Sequence, residues 1–219
     1  MKSRIALQRH SPSSVSPVLS GRYAIDIVLL PDRDSSALAI EMSAALTNTE
    51  NTKRLLLNRV DHLPHITLAM GVILEEDLDQ LADELVTVAA EARAVQLTTD
   101  RIKTPLAPTD GISLIDIHRS SELDALHERT MTLLMNRRLP HVVASDFSGS
   151  LPMTSGTVDW VQNFEENAAH DHFSPHITLG YGHLPHPTFP DTFLADRLAV
   201  CHLGKHCTCS KLLFEVPLK

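Results

Sequence analysis

The sequence predicts an α+β fold in which two lobes, each mixing strands and helices, join face to face. Three observations lead there. The segment PHITLAMG, Pro64 to Gly71, returns half a chain later as PHITLGYG, Pro175 to Gly182, with six of eight positions identical, and a repeat of that quality marks a duplicated unit. Strand-like apolar runs alternate with helical periodicities along the chain. The 219 residues are 43% hydrophobic and 21% charged, enough apolar material for one ordinary domain or two small lobes sharing a core.

Residues 1–20 read as a disordered tail. Lys2, Arg4, Arg9 and Arg22 precede the first acid, Asp26, a composition shared with organelle transit peptides, but Pro12 and Pro17 break any amphipathic helix. With no apolar secretory core, a cytoplasmic location is the expectation. A single bilobal domain is then expected over residues 21–219. RYAIDIVLLP, from Arg22, reads as a strand ended by Pro31, and its apolar run Ala24 to Leu30 is interrupted by Asp26. Asp34 or Ser35 can cap a helix carrying Leu38, Met42 and Leu46. RLLLNRV and the first repeat follow, both read as extended.

From Glu75 to about Ala94, Leu78, Leu81, Leu85 and Val88 recur at helical spacing behind acids that suit the helix dipole. VQLTTDRIK and ISLIDIH flank a breaker stretch from Pro105 to Gly111 and predict two paired strands. A second long helix is expected from Ser121 to about Arg138, opened by Ser121 and Asp124 in the manner of a capping box, with Leu123, Leu126, Thr130 and Leu133 inward. Residues 139–174 show no clean period and read as an insertion or lid, in which VDWVQNFEENAA can form a short helix. The chain closes in two β-rich runs around Gly204 and Lys205, a hairpin.

Nineteen Lys and Arg against 27 Asp and Glu give a net charge of −8, which opposes the phosphate neutralisation that binding to long nucleic acid requires. Small or short phosphorylated ligands remain compatible. No run approaches the ~18 apolar residues of a membrane-spanning helix, so no membrane association is expected. Cys201, Cys207 and Cys209 are too few and too clustered for a disulfide framework, and reduced thiols are the expectation.

In a strand, His65 and Thr67 project to one face while Ile66 and Leu68 project to the other, and His176 and Thr178 oppose Ile177 and Leu179 likewise. Two imidazoles on either side of a phosphate form an acid–base pair, since near neutrality one can take a proton while the other gives one. Each Thr hydroxyl can donate to a non-bridging oxygen as charge develops. A single HITL would read as an ordinary half-buried strand; its duplication makes His65, Thr67, His176 and Thr178 the candidate catalytic set. Tyr181 falls on the core face in an unbroken strand, but it is carried with Tyr23 and Trp160 as a candidate for stacking on a substrate base. His170, His172 and His176, and separately His202, His206, Cys207 and Cys209, cluster without matching a standard zinc spacing, so neither metal nor cofactor is expected. His62, His183 and His186 read as surface loop residues.

His65-Ile66-Thr67-Leu68 and His176-Ile177-Thr178-Leu179 resemble the paired H-x-T-x signature of the two-histidine (2H) phosphoesterase superfamily, which includes RNA 2′-5′ ligase-like proteins and cyclic phosphodiesterases. RYAIDIVLLP is similar to the first strand of the ligase-like branch. The resemblance implies a pseudo-twofold arrangement of two antiparallel sheets flanked by outer helices with a cleft between them. It implies metal-independent hydrolysis of a 2′,3′-cyclic or related ribose phosphodiester in a small nucleotide or short oligonucleotide; a monomer is the expected state. RNA 2′-5′ ligation, the same chemistry reversed, is the nearest alternative, and a non-catalytic nucleotide or RNA-end binding module is the alternative from another class.

Overall fold

The computed structural model describes residues 21–47, 55–108, 111–149 and 152–219; the expected tail over residues 1–20 lies outside them. Pro31 ends the first strand, β1 (Arg22–Pro31), and the next residue, Asp32, caps α1 (Arg33–Ala44) by accepting from Ser35 N at 2.8 Å. The cap therefore falls two residues ahead of Asp34. Leu55 and Leu57 form no strand: they are buried, and Leu57 N donates to Ser43 Oγ of α1 at 3.0 Å. The first repeat supplies β2 (Ile66–Leu74), and one 3₁₀ turn over Glu75–Asp77 leads into α2 (Leu78–Glu91), which buries Leu81, Leu85 and Val88. The two runs around the breaker are β3 (Val95–Lys103) and β4 (Ile112–Ile117), paired antiparallel. Ser120, one residue before the expected position, caps α3 (Ser121–Met135) by accepting from Leu123 N at 3.2 Å.

The described residues of 139–174 include two short helices, α4 (Ser155–Gln162) and α5 (Phe164–Ala168), anchored by the buried side chains of Val161 and Phe164. The second repeat is β5 (His176–Tyr181), followed by the hairpin of β6 (Thr192–Leu203) and β7 (Cys209–Pro217). Its turn is longer than two residues, with His206 and Cys207 at φ of 60° and 56°. That offset places Cys201 and Cys209, Cα atoms 5.2 Å apart, in a disulfide. The expectation of three reduced thiols is thereby corrected, and Cys207 alone is free.

All strand pairs are antiparallel, in the order β2-β1-β6-β3-β4-β5, with β7 also on β6. The order is symmetric about the β6–β3 seam. β1-α1-β2 and β4-α3-β5 are equivalent units, and each half sends its third strand to the other: β3 pairs with β4, β6 with β1. The two sheets are therefore joined into one array. The helices cross over as well, α3 packing on β2 and α1 on β5. β1 is buried on both faces. Ile25, Ile27 and Leu29 enter the main core, while Val28 and Leu30 join Ala199 and the disulfide in a second cluster. Among the described residues no helix is long and apolar enough to cross a membrane.

Candidate active site

Each repeat begins with a residue, a proline and a histidine. Proline fixes its own φ and holds the preceding residue extended, which turns the carbonyl two positions before the histidine back toward the imidazole. His65 Nδ1 accordingly bonds Leu63 O at 2.7 Å, and His176 Nδ1 bonds Ser174 O at 2.8 Å. A carbonyl only accepts, so both rings carry the proton on Nδ1 and leave Nε2 as the working nitrogen.

Both strands then break register at the same place. Thr67 pairs with Val28 and Ala69 with Ile27, so Leu68 is an extra residue; Thr178 pairs with Leu114 and Gly180 with Ser113, so Leu179 is its counterpart. A β-bulge of this kind resets the side-chain alternation. Met70 and Tyr181 consequently return to the face of the two threonines, and both line the cleft. Tyr181 thus leaves the core position that an unbroken strand would give it. Gly180, at φ 136°, is the sequence sign of the break.

His65 and Thr67 meet His176 and Thr178 along one cavity of about 590 Å³, which α4, α5 and the β6–β7 turn complete. Leu57, Met70, Leu114, Phe164 and Phe173 supply apolar wall, and Thr154, Thr157, Asn167 and Ser174 add polar atoms. The imidazole of His65 is 15% exposed. Its burial pushes the pKa below the usual 6.5, against the bond to Leu63 O, and the neighbouring His176 adds to the depression.

Asp26 of β1 stands behind the first motif and is fully buried. One oxygen, Oδ2, lies 2.8 Å from Thr67 Oγ1 and 3.5 Å from His65 Nε2. The other, Oδ1, has no hydrogen-bond partner among the described residues. Burial holds this carboxyl well above the usual carboxylate range. Sequence reasoning missed Asp26, although it is the one charged residue in the apolar run of β1. His127 of α3 was missed too. Its Nδ1 donates to the bulge carbonyl of Leu68 at 2.7 Å, its Nε2 accepts from His170 N at 2.8 Å, and its ring stacks on Phe173 at 4.0 Å.

The family model of the 2′-5′ RNA ligase superfamily matches residues 37–199, and so spans both motifs. The chain belongs to this superfamily. No curated protein matches it in sequence. Solved structures similar to it include E. coli LigT complexed with ATP, at 12% identity over 91% of this chain and 99% of that one, with a TM-score of 0.53. A crystal structure described as a phosphoesterase is similar at 14% identity, covering 90% and 99%, with a TM-score of 0.52. A Thermus thermophilus protein, TT0787, is similar at 13% identity, covering 89% and 97%, also at 0.52. At such identities the likeness is one of fold.

Trp160 of α4 lines the superfamily member's cavity, as Tyr181 does. Tyr23 does not: its hydroxyl donates to Glu75 Oε1 at 3.1 Å and its ring packs against His202 at 4.6 Å, away from the cavity lining. His62 and His206, by contrast, do line the cavity, so His62 is no simple surface residue. His183 is also tied down, half-buried with Nδ1 on Pro105 O. His202 faces Lys211 rather than Cys207, because the long turn shifts the hairpin register. Cys207 sits against the cavity, its thiol pushed up to about 12 by burial and the nearness of Asp26. Among the described residues, the His, Cys, Asp and Glu side chains that converge within 4.8 Å are those of His127, Glu128 and His170, not either of the two His/Cys groups weighed in the sequence. Both ring nitrogens of His127 are already committed to backbone groups, so this cluster offers no complete ligand set.

Proposed function

We propose that the protein is a metal-independent phosphodiesterase that opens a 2′,3′-cyclic or related ribose phosphodiester in a small nucleotide or short oligonucleotide. One observation carries this reading: two imidazoles, each held through Nδ1 by the carbonyl two residues before it, flank one cavity with a threonine beside each. His65, which burial keeps neutral, takes the proton from water through Nε2 as the oxygen bonds to phosphorus. His176 gives the proton on its Nε2 to the leaving ribose oxygen. The Thr178 hydroxyl makes no hydrogen bond to the described residues and is free to donate to a non-bridging oxygen as charge develops there. A volume of about 590 Å³ suits a mononucleotide, and its base would stack on Trp160 or Tyr181, which both line the cavity.

The test is turnover of 2′,3′-cyclic mononucleotides and of 2′-5′ and 3′-5′ dinucleotides in the presence of chelator, with the product phosphate located by phosphorus NMR. The reading expects one phosphomonoester regiochemistry, undiminished by chelation. Binding without turnover across that panel would make the site a nucleotide-binding module instead.

A further inference from the structure

We propose that Asp26 works as a neutral carboxylic acid, a positioning residue that gives its proton in a hydrogen bond to Thr67 Oγ1 and so aims the Thr67 O–H at a phosphoryl oxygen. The inference rests on the phosphodiesterase reading for its consequence, and on the geometry around Asp26 for its substance.

A carboxylate at this position can only accept. Thr67 would then spend its proton on Asp26, 2.8 Å away, and would present only lone pairs to an anionic phosphate. The negative charge would stand one side chain behind that phosphate. It would also be fully buried with a single hydrogen bond, since Oδ1 has none among the described residues. Burying an ion without a partner carries a large desolvation penalty. A neutral acid removes all three conflicts. Its O–H occupies the 2.8 Å contact, the remaining oxygen carries no full charge, and the hydroxyl hydrogen of Thr67 is released toward the cavity.

The neighbours agree with that state. Asp26 pairs in register with Met70 of β2 and Cys201 of β6, and Cys207 of the hairpin turn lies near it. Cys201 is held in the disulfide and Cys207 keeps its proton. Among these groups only His65 could supply a positive charge, and its Nε2 stands 3.5 Å from Oδ2, beyond a good hydrogen bond. Its pKa is pushed down rather than up. Protonation of Asp26 is therefore favoured both by its own burial and by the lack of a cationic partner.

The experiment is carboxyl-carbon NMR of the full chain labelled in aspartate, titrated through neutral pH, beside the kinetics of Asp26→Asn and Asp26→Leu. One aspartate should remain protonated well above the pH at which the others ionise, and its signal should vanish in Asp26→Asn. Asparagine keeps a donor toward Thr67, so Asp26→Asn should hold kcat within about threefold. Asp26→Leu should lower kcat at least tenfold with little change in KM, a part of the ~10²–10³ that losing a transition-state donor costs. All aspartates ionising together at their usual pH would overturn the proposal, as would an Asp26→Asn variant, folded, that loses as much rate as Asp26→Leu. The titration needs no substrate, so it decides the state of Asp26 even if no cyclic phosphodiester is turned over, and it reads the wild-type chain even if a variant fails to fold.

Discussion

The two halves of the molecule hold their motifs alike and back them differently. His65 and His176 have the same Nδ1 anchor, and Leu68 and Leu179 are the same bulge. Behind the threonines the halves diverge. Asp26 pairs with Met70, and the equivalent residue that pairs with Tyr181 is Ile112. The first motif thus has a buried acid at its back, while the second has an apolar side chain that is 49% exposed at the cavity edge. The acid of the second half, Asp116, pairs with His176 in register but binds Lys103 and Arg101 at 2.8 and 2.9 Å, which keep it ionised. Duplication sets where the four polar groups stand; the unequal surroundings distinguish two chemically identical histidines, and the proposed split into base and acid draws on that difference.

The largest expected effect breaks that division of labour. His65→Ala and His176→Ala should each lower turnover by roughly 10²–10⁴-fold, the usual worth of a general base or acid. The double variant should be scarcely worse than either, as for residues acting as a unit. Rate against pH should be bell-shaped, with apparent pKa values belonging to the pair. Measured kcat/KM across pH checks all three, and a folded His176→Ala with near wild-type turnover would sink the two-histidine mechanism.

The threonines sharpen the comparison. Each change to valine removes a donor to developing charge, up to ~10²–10³-fold in rate. Only Thr67→Val should also cost stability. It leaves Asp26 buried without its one hydrogen bond, a penalty of about 1–3 kcal/mol. Thr178→Val removes no such bond, so chemical denaturation should separate the pair.

His127 supports the first motif through Leu68 O and stacks on Phe173, just ahead of the second. His127→Leu leaves Leu68 O and His170 N without partners and should destabilise by about 1–3 kcal/mol for each group that stays dry. Burial lowers the pKa of His127 from the ordinary 6.5. The sign follows: the unfolded chain takes up the proton first, so this contribution is complete above pH 6.5 and is lost as pH falls from there toward the folded pKa. Asp26 acts in the opposite sense, its raised pKa favouring the folded state as pH falls toward 3.8. The melting temperature of His127→Leu should therefore depend less on pH just below 6.5 than that of the wild type.

Much of this was legible in the chain. The repeat located the four motif residues, and hydrophobic period located α2, α3, β3 and β4, because those elements are governed by neighbours close in sequence. What escaped reading depends on register and tertiary contact. No local rule tells that Leu68 and Leu179 drop out of their ladders, so the return of Tyr181 to the cleft was hidden. His127 looked like one more position on a helix, and only docking of α3 on β2 brings it to Leu68 O. The disulfide depends on the length of the β6–β7 turn, which Gly204 and Lys205 alone suggested would be shorter.

The smallest expected effect probes how one bulge is built in two ways. Gly180 has φ 136°, and a Cβ there would stand 2.7 Å from Leu55 O, a backbone atom with little room to move. Its counterpart Ala69 already carries a Cβ, and it is not among the residues with positive φ. Gly180→Ala should then cost about 1–3 kcal/mol for the forced conformation, and it should raise KM by displacing Tyr181 from the cavity wall. Ala69→Gly should cost only about 0.5–1 kcal/mol, the entropic penalty of glycine within a strand, and leave KM alone. Equal losses at the two sites, read by denaturation, would mean that the bulges share one backbone conformation and that the asymmetry of the halves lies in Asp26 and His127 alone.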